Sequence, residues 1–367
     1  MNILHITNHL DVGGITSYVF TLASGLKKRG HNVFVASSGG DLVFKFQEAG
    51  INYLPIPIRT KKEISPGIIF CAIKLSGIIK EYKIDVIHTH SRTTQVLSCL
   101  LHKSTGVARI FTCHGFFKRR FLRRIFPCWG EGIIAISEQV KEHLVKDFKV
   151  PERDIVVINN GIDIDRFKAV ALKSKTKAKN NLGLSEGPVI GIIARLSDVK
   201  GHKYLITAMR GVLEKYPEAQ LLIVGTGKIQ KDLAGLAESL GIGKNVFFIP
   251  EISDTIEALA AIDIFVMPSL QEGLGLALME AMASGLTVIG SNVGGIKTLI
   301  QDGQNGLLVS PADSKELGEA ILTLLSDPSK RADLGKQAQD FIRQNFSQDK
   351  MVLETEKEYS TCLSAKD

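Results

Sequence analysis

Short runs of β-branched and aliphatic residues alternate along the chain with stretches whose apolar positions recur at helical spacing. This alternation predicts βαβ units built around parallel sheets. The run at residues 3–7 reads as a buried strand. Behind it Ile15, Val19, Leu22, Ala23 and Leu26 fall on one helical face, Lys27, Lys28 and Arg29 suit the C-terminal end of the helix dipole, and Gly30 ends the helix. Further strands are predicted at residues 32–36, 85–88, 109–112, 132–136 and 155–158. The pattern breaks between Phe167 and Pro188, where Lys173, Lys175, Lys177 and Lys179 alternate with small and polar residues, and this predicts a connector. A second series of strands follows at residues 189–194, 220–224, 246–249, 264–267 and 287–290. The economical architecture is α/β: two Rossmann-like domains facing across a cleft, residues 1–167 and 168–349, with the last stretch, residues 350–367, as a separate helix.

Composition sharpens this without changing it. With 367 residues, 44% hydrophobic and 23% charged, the chain has the make-up of a soluble globular protein of about two domains. Five cysteines lie far apart without zinc-site spacing, which predicts a reducing compartment. The N-terminus lacks a signal-peptide pattern, and the most apolar segment, residues 67–79, is short for a membrane span and carries Lys74. A cytoplasmic protein is expected, attached to a membrane at most from its surface. The net charge of +7 is unevenly placed. Residues 1–165 hold 22 Lys plus Arg against 14 Asp plus Glu, whereas residues 166–367 hold 23 against 24. The excess therefore belongs to the first domain.

Open parallel sheets bind ligands beyond the carboxyl ends of their strands, so the residues just after each strand carry the chemical information. Gly13 and Gly14 open the first helix, where backbone N–H groups can approach an anion, or where a tight turn alone is needed. His88, His90 and His114 end two strands. His114, followed by Gly115, suits polar contact with a substrate, while the spacing of His88 and His90 argues against a metal site. Lys118, Arg119, Arg120, Arg123 and Arg124 form the densest basic stretch, interleaved with Phe121, Leu122 and Ile125. That arrangement fits an anionic membrane or acceptor, or a solvated charged face. In the second half Arg195 and Lys200 follow one strand and can neutralise a diphosphate, and Gly225 and Gly227 form a close-approach turn after the next. The most specific segment runs from Ser269 to Gly285. There a strand ends, Gly273, Leu274, Gly275 and Leu276 open a helix, Glu272 precedes it and Glu280 lies within it. Such a loop and helix can offer one carboxylate to sugar hydroxyls, free amides to phosphate and a second carboxylate to ribose. Asp163 and Asp165 could hold a metal ion but read as a turn or capping element.

Taken together, Gly13-Gly14, Gly30-His31, the histidine after Thr112-Cys113, Ala135-Ile136-Ser137, Asn160-Gly161-Ile162-Asp163, Arg195 with Lys200-Gly201, Gly225 and Gly227, Glu272 with Glu280, and Gly294-Gly295 resemble glycosyltransferase family 4 from end to end. The resemblance implies the GT-B fold, with the final helix crossing back to the first domain. It implies a retaining transferase taking a nucleoside diphosphate sugar, with a UDP-sugar expected, onto a lipid-linked, lipopolysaccharide or other cell-envelope glycan acceptor bound by the first domain. By the same resemblance Arg195 and Lys200 bind the diphosphate, Glu280 the ribose, and Glu272 with the amides after it the sugar and phosphate. His114 lies beside the reacting sugar and Gly14 near the phosphate. No cofactor, metal or protein nucleophile is expected, nor any nucleic-acid partner. Thr16, Pro250 and Lys297-Thr298 depart from the family pattern and leave the donor's base and sugar open. A sugar-nucleotide epimerase of similar architecture and a basic nucleic-acid-binding protein are the alternatives.

Overall fold

In the computed structural model, residues 1–58, 65–117, 123, 126–250, 252 and 254–364 are described. Two compact units divide the chain: Met1–Gly161 with Gln348–Asp367, and Ile162–Ser347. The first boundary thus falls six residues before the position expected from the sequence, and the second two residues before.

The first unit is built on a parallel sheet of seven strands in the order β3-β2-β1-β4-β5-β6-β7. These are β1 (Asn2–Ile6), β2 (Asn32–Ser37), β3 (Asn52–Pro55), β4 (Val86–Thr89), β5 (Ala108–Cys113), β6 (Gly132–Ala135) and β7 (Ile155–Val157). Both faces are covered, which explains the nearly continuous apolar runs in its central strands. Ile3, Val33, Val35, Val86 and Ile110 pack on one side with Val19, Leu22 and Leu26 of the helix Gly14–Lys28 and with Met351, Val352 and Tyr359 of the terminal helix Gln348–Ser364. Leu4, Ile6, Phe34 and Ile87 pack on the other with the helices Pro66–Glu81 and Arg92–Thr105. The second of these begins at a capping box, with the Ser91 side chain accepting from the Thr94 amide, and ends at Gly106 in the left-handed conformation (φ 71°).

The terminal helix does cross back to the first unit. It sits close enough to the first helix that a Cβ on Gly25 would lie 2.4 Å from Val352. Its Glu356 binds Arg29 Nε at 2.6 Å and His31 Nε2 at 2.5 Å.

The second unit holds six parallel strands in the order β10-β9-β8-β11-β12-β13. They are β8 (Val189–Ile193), β9 (Gln220–Val224), β10 (Val246–Ile249), β11 (Ile264–Met267), β12 (Thr287–Ser291) and β13 (Leu307–Val309). Its core joins Ile190, Leu221, Val266 and Ile289 to Leu205 and Met209 of the helix His202–Lys215 and to Leu317 and Ile321 of the helix Ser314–Ser326.

The lysine-rich stretch is not a connector. It forms the helix Lys175–Asn181, with Ser174 capping it, beside the helix Ile164–Leu172. The alternating lysines have a structural use: Asp263, at the entrance to β11, binds Lys175 at 2.7 Å and the Val189 amide at 2.9 Å, and lies 3.4 Å from the buried Lys179. All five cysteines are free thiols. Among the described residues no helix is long and apolar enough to cross a membrane.

Candidate active site

Strands β8 and β11 are neighbours in the sheet although β9 and β10 come between them in the chain, so the loops leaving their carboxyl ends flank the point where strand order reverses. These two loops are stitched together. The Leu270 amide donates to the Val199 carbonyl at 2.8 Å. Gly201 has φ +71°, and a Cβ there would stand 1.8 Å from the Pro268 carbonyl oxygen, so only glycine lets the backbones approach. The consequence is chemical: Lys200 Nζ reaches Glu272 Oε2 at 2.5 Å. Ser269 Oγ lies 3.4 Å from the same oxygen, and the Gly273 amide donates to Oε1 at 3.2 Å. Arg195, on the same β8 loop as Lys200, is exposed.

The β12 loop holds this arrangement from the other side. Gly295 donates its N–H to the Glu272 carbonyl at 3.0 Å. Cβ atoms on Gly294 and Gly295 would lie 2.1 Å from the carbonyl oxygens of Glu272 and Gly273. Gly225 and Gly227 have a similar duty. Their Cβ atoms would meet the carbonyl oxygens of Ala194 and Leu196 at 2.2 and 2.0 Å, and Leu196 N–H donates to Thr226 at 2.9 Å. The chain's own backbone therefore demands glycine here, which fixes the Arg195 loop. Leu274 is buried and anchors the turn in the core. Gly275, at φ +93°, then starts the helix Leu276–Ala283, whose first-turn amides have no intrahelical acceptor. Glu280, on that helix, accepts from Thr255 Oγ1 at 2.8 Å.

In the first unit Gly13 and Gly14 stand at the entrance of the helix Gly14–Lys28, with open space where a Gly13 Cβ would be. His114 follows β5, half-buried, and it does not stand alone. His114 Nε2 lies 3.2 Å from His90 Nδ1, and His90 Nε2 lies 3.0 Å from His5 Nδ1. His88, beside them, is bonded to Tyr359 Oη at 2.7 Å and Thr112 Oγ1 at 2.6 Å. Burial pushes His5 and His114 down to about 3, and, with the neighbouring imidazoles, holds His88 and His90 well below the ordinary histidine range. Sequence reasoning passed over His5. The available signal was a titratable residue among Ile3, Leu4 and Ile6 in a buried strand.

One expectation needs correction. Arg123 is not part of a solvent-facing basic patch: it is buried, with its guanidinium 4.1 Å from the Phe117 ring centroid and 5.8 Å from that of Phe148. A guanidinium is weakly hydrated and packs on aromatic faces, which is how a cation enters this apolar setting. Lys118, Arg119, Arg120 and Arg124 lie outside the described residues. Asp163 caps the helix Ile164–Leu172 by accepting the Arg166 amide at 3.3 Å, and Asp165 pairs with Lys168 at 2.6 Å. Asp163 is thus a capping residue, and Asp165 is half of an exposed ion pair in the first turn of the same helix.

Comparison with known proteins bears on the family and the fold. The family model described as "Glycosyltransferase Family 4" matches residues 12–166, and "Glycosyl transferases group 1" matches residues 174–341. An Escherichia coli UDP-Gal:alpha-D-GlcNAc-diphosphoundecaprenol alpha-1,3-galactosyltransferase is 30% identical over 272 residues, covering 70% of each chain. A Corynebacterium glutamicum GDP-mannose-dependent monoacylated alpha-(1-6)-phosphatidylinositol monomannoside mannosyltransferase is 28% identical over 94% of each. Among solved structures, a glycosyltransferase from Rickettsia africae superposes with a TM-score of 0.84 at 25% identity, over 99% of this chain and 98% of that one. Anabaena HepE in complex with UDP and glucose superposes at 0.87 and 23%, over 98% and 99%.

Proposed function

The chain belongs to glycosyltransferase family 4, as a nucleotide-sugar-dependent transferase of the GT-B type, and from that premise we propose that it moves a sugar from a UDP-sugar, with retention of anomeric configuration and without a metal ion, onto a lipid-linked or other cell-envelope glycan. The observation that carries the donor-site reading is the Lys200–Glu272 pair at 2.5 Å, set where the strand order of the second unit reverses. Charge that accumulates on a departing diphosphate needs cations and amides already in place, since donors organised before the reaction cost no rearrangement during it. Lys200 and Arg195 supply the cations, and the first turn of the helix Leu276–Ala283 supplies the amides. Glu272 holds Lys200 and offers its remaining hydrogen-bonding capacity to the sugar, and Glu280 takes the ribose hydroxyls. His114 is assigned to the donor sugar and Gly14 to the phosphate. With retention by same-face attack, the acceptor's proton passes to the leaving phosphate, which needs no protein nucleophile.

UDP is favoured by the E. coli relative, named for UDP-Gal, and by the HepE structure with UDP and glucose. The lipid-linked acceptor is favoured by relatives acting on a diphosphoundecaprenol and on an acylated phosphatidylinositol mannoside. Attachment to an anionic membrane surface is favoured by the helix Pro66–Glu81, which leaves Ile69, Phe70 and Ile73 exposed together with Lys74 and Lys80.

A screen of UDP- and GDP-sugars for thermal stabilisation and donor hydrolysis tests the reading. A UDP-sugar is expected to score in both, with the activity surviving EDTA. Glu272→Ala, Lys200→Ala and Arg195→Ala are each expected to lower kcat/KM by roughly 100-fold or more while the fold persists. Wild-type turnover in all three would overturn the donor site. Loss of activity in EDTA that manganese restores would overturn metal independence, and an inverted anomeric signal in the product's NMR spectrum would overturn retention.

A further inference from the structure

His5 and His88 occupy inward positions on β1 and β4, on the sheet face covered by the helix Gly14–Lys28 and the terminal helix, where the neighbouring inward residues are Ile3 and Val86. With His90, also buried, and the half-buried His114 they form a cluster of four imidazoles in the first unit. His5, His88 and His90 have ligand atoms all within 4.8 Å of one another, which invites a metal ion. The hydrogen bonds argue otherwise. Both nitrogens of His88 are bonded to Tyr359 and Thr112, and both nitrogens of His90 to His5 and His114. A metal would have to break bonds that already satisfy these groups.

What remains is a file of three rings. Ring centroids are 5.3 Å apart for His5 and His90 and 5.4 Å for His90 and His114, little more than the nitrogen–nitrogen distances of 3.0 and 3.2 Å plus the rings' own reach, so the rings meet tip to tip. The titratable groups facing the file are His88, Tyr18, whose ring stands edge-on to His114 at 4.6 Å, and Tyr359 beyond His88.

A neutral imidazole carries one N–H and one lone pair. His90, in the middle, must therefore donate one of its two bonds and accept the other, so both bonds of the file run in the same direction. If the file runs from His114 to His5, the terminal N–H falls on His5 Nε2, which is buried with no partner. If it runs from His5 to His114, that atom keeps only a lone pair. An orphaned buried N–H is the rarer and costlier outcome. The second direction wins: His5 Nδ1–H donates to His90 Nε2, and His90 Nδ1–H donates to His114 Nε2.

We propose that His5 and His90 are positioning residues that lock His114 as the neutral tautomer protonated at Nδ1. His114 is then a fixed hydrogen-bond donor and not a base. That it serves the donor sugar rests on the function proposed above, but the tautomer itself does not, and the two fail separately.

The test is long-range proton–nitrogen correlation NMR on protein labelled with nitrogen-15 histidine. His114 is expected to show Nδ1 protonated and Nε2 unprotonated across pH 5.5–8. Protonation at Nε2, or a titration within that range, would overturn the proposal whatever the activity. His5→Phe, which removes the first donor, is expected to let His114 sample both tautomers and to lower kcat about 10-fold with KM little changed. His5→Asn, whose side-chain amide can donate in place of Nδ1, is expected to restore both the spectrum and the rate. If His5→Phe does not fold, the wild-type spectrum and His5→Asn still decide. One equivalent of zinc retained after chelation, with His5, His88 and His90 resonances displaced, would replace the file with a metal site and overturn it too. If no nucleotide sugar is turned over by the wild type while the Nδ1–H tautomer is observed, the functional reading fails and the file stands.

Discussion

At the scale of single residues, the first unit invests in keeping histidines neutral. Burial pushes His5 and His114 down to about 3 and holds His88 and His90 well below 6.5. Between those values and the ordinary histidine pKa the unfolded chain binds protons that the folded chain refuses. Stability is therefore complete above about pH 6.5 and is lost as the pH falls, by about 1.4 kcal/mol per pH unit for each such group. The expected result is a Tm that drops steeply between pH 6.5 and 5 in calorimetry, with a shallower slope in His5→Asn. A Tm flat across that interval would show that these rings are not buried neutral. The residues proposed for the donor stand out in the sequence because Arg195, Lys200 and Glu272 follow strand ends or precede a glycine turn, and Glu280 is a lone carboxylate in an otherwise apolar helix. His5 does not, because the buried strand Asn2–Ile6 reads as core whatever side chain stands between Leu4 and Ile6. Arg123 misled for the opposite reason, since a cation among cations reads as surface until aromatic faces are found around it.

At the scale of elements, every strand read from the sequence exists, and those missed are short and marginal to their sheets: β3 with four residues and β13 with three, each at a sheet edge. Their pairing is set by the neighbours they lie against, β2 and β12, more than by their own composition. The lysine-rich helix Lys175–Asn181 was unreadable because it has almost no apolar periodicity. It is held by Asp263, whose partners arrive from 74 or more residues away. Gly225 and Gly227 read as a close-approach turn for the donor, yet there, as at Gly201, Gly294 and Gly295, the close neighbour is another loop's carbonyl oxygen. Gly201→Ala tests what such a contact is worth. A left-handed backbone and an overpacked contact together should cost roughly 2–4 kcal/mol. Because the strain falls between the β8 and β11 loops, it should also draw Lys200 away from Glu272. A lowered Tm with a much larger fall in donor affinity is expected. Unchanged affinity in a destabilised protein would mean that the loops are not what holds the pair.

At the scale of the whole molecule, the uneven charge and the apolar exposure fall in the same unit. Residues 1–165 carry an excess of eight positive charges, counting 22 Lys plus Arg against 14 Asp plus Glu, while the remainder is close to neutral. The helix Pro66–Glu81 turns Ile68, Cys71, Leu75 and Ile79 inward and leaves Phe70 58% and Ile73 70% exposed. Exposed large side chains elsewhere among the described residues are mostly scattered; here Ile69, Phe70 and Ile73 share one side of one helix, flanked by Lys74 and Lys80. On the proposed reading an anionic bilayer would supply what such a face lacks: an apolar interior for the three side chains and phosphate for Lys80, while Lys74 already donates to the Pro55 carbonyl at 2.8 Å. Replacing Ile69, Phe70 and Ile73 by Ser should remove roughly 3 kcal/mol of partition energy, enough to bring a vesicle-bound protein into the supernatant on sedimentation with phosphatidylglycerol vesicles. Donor hydrolysis in solution should be unaffected, since none of the three replaced side chains is among those assigned to the donor and all three face outward from their helix. High salt should weaken binding of the wild type but not abolish it, because the apolar contribution is not screened. Sedimentation of the triple variant equal to that of the wild type would detach the membrane from this helix and return it to the basic stretch of Lys118, Arg119, Arg120 and Arg124, whose replacement by Ser is the matching arm of the experiment.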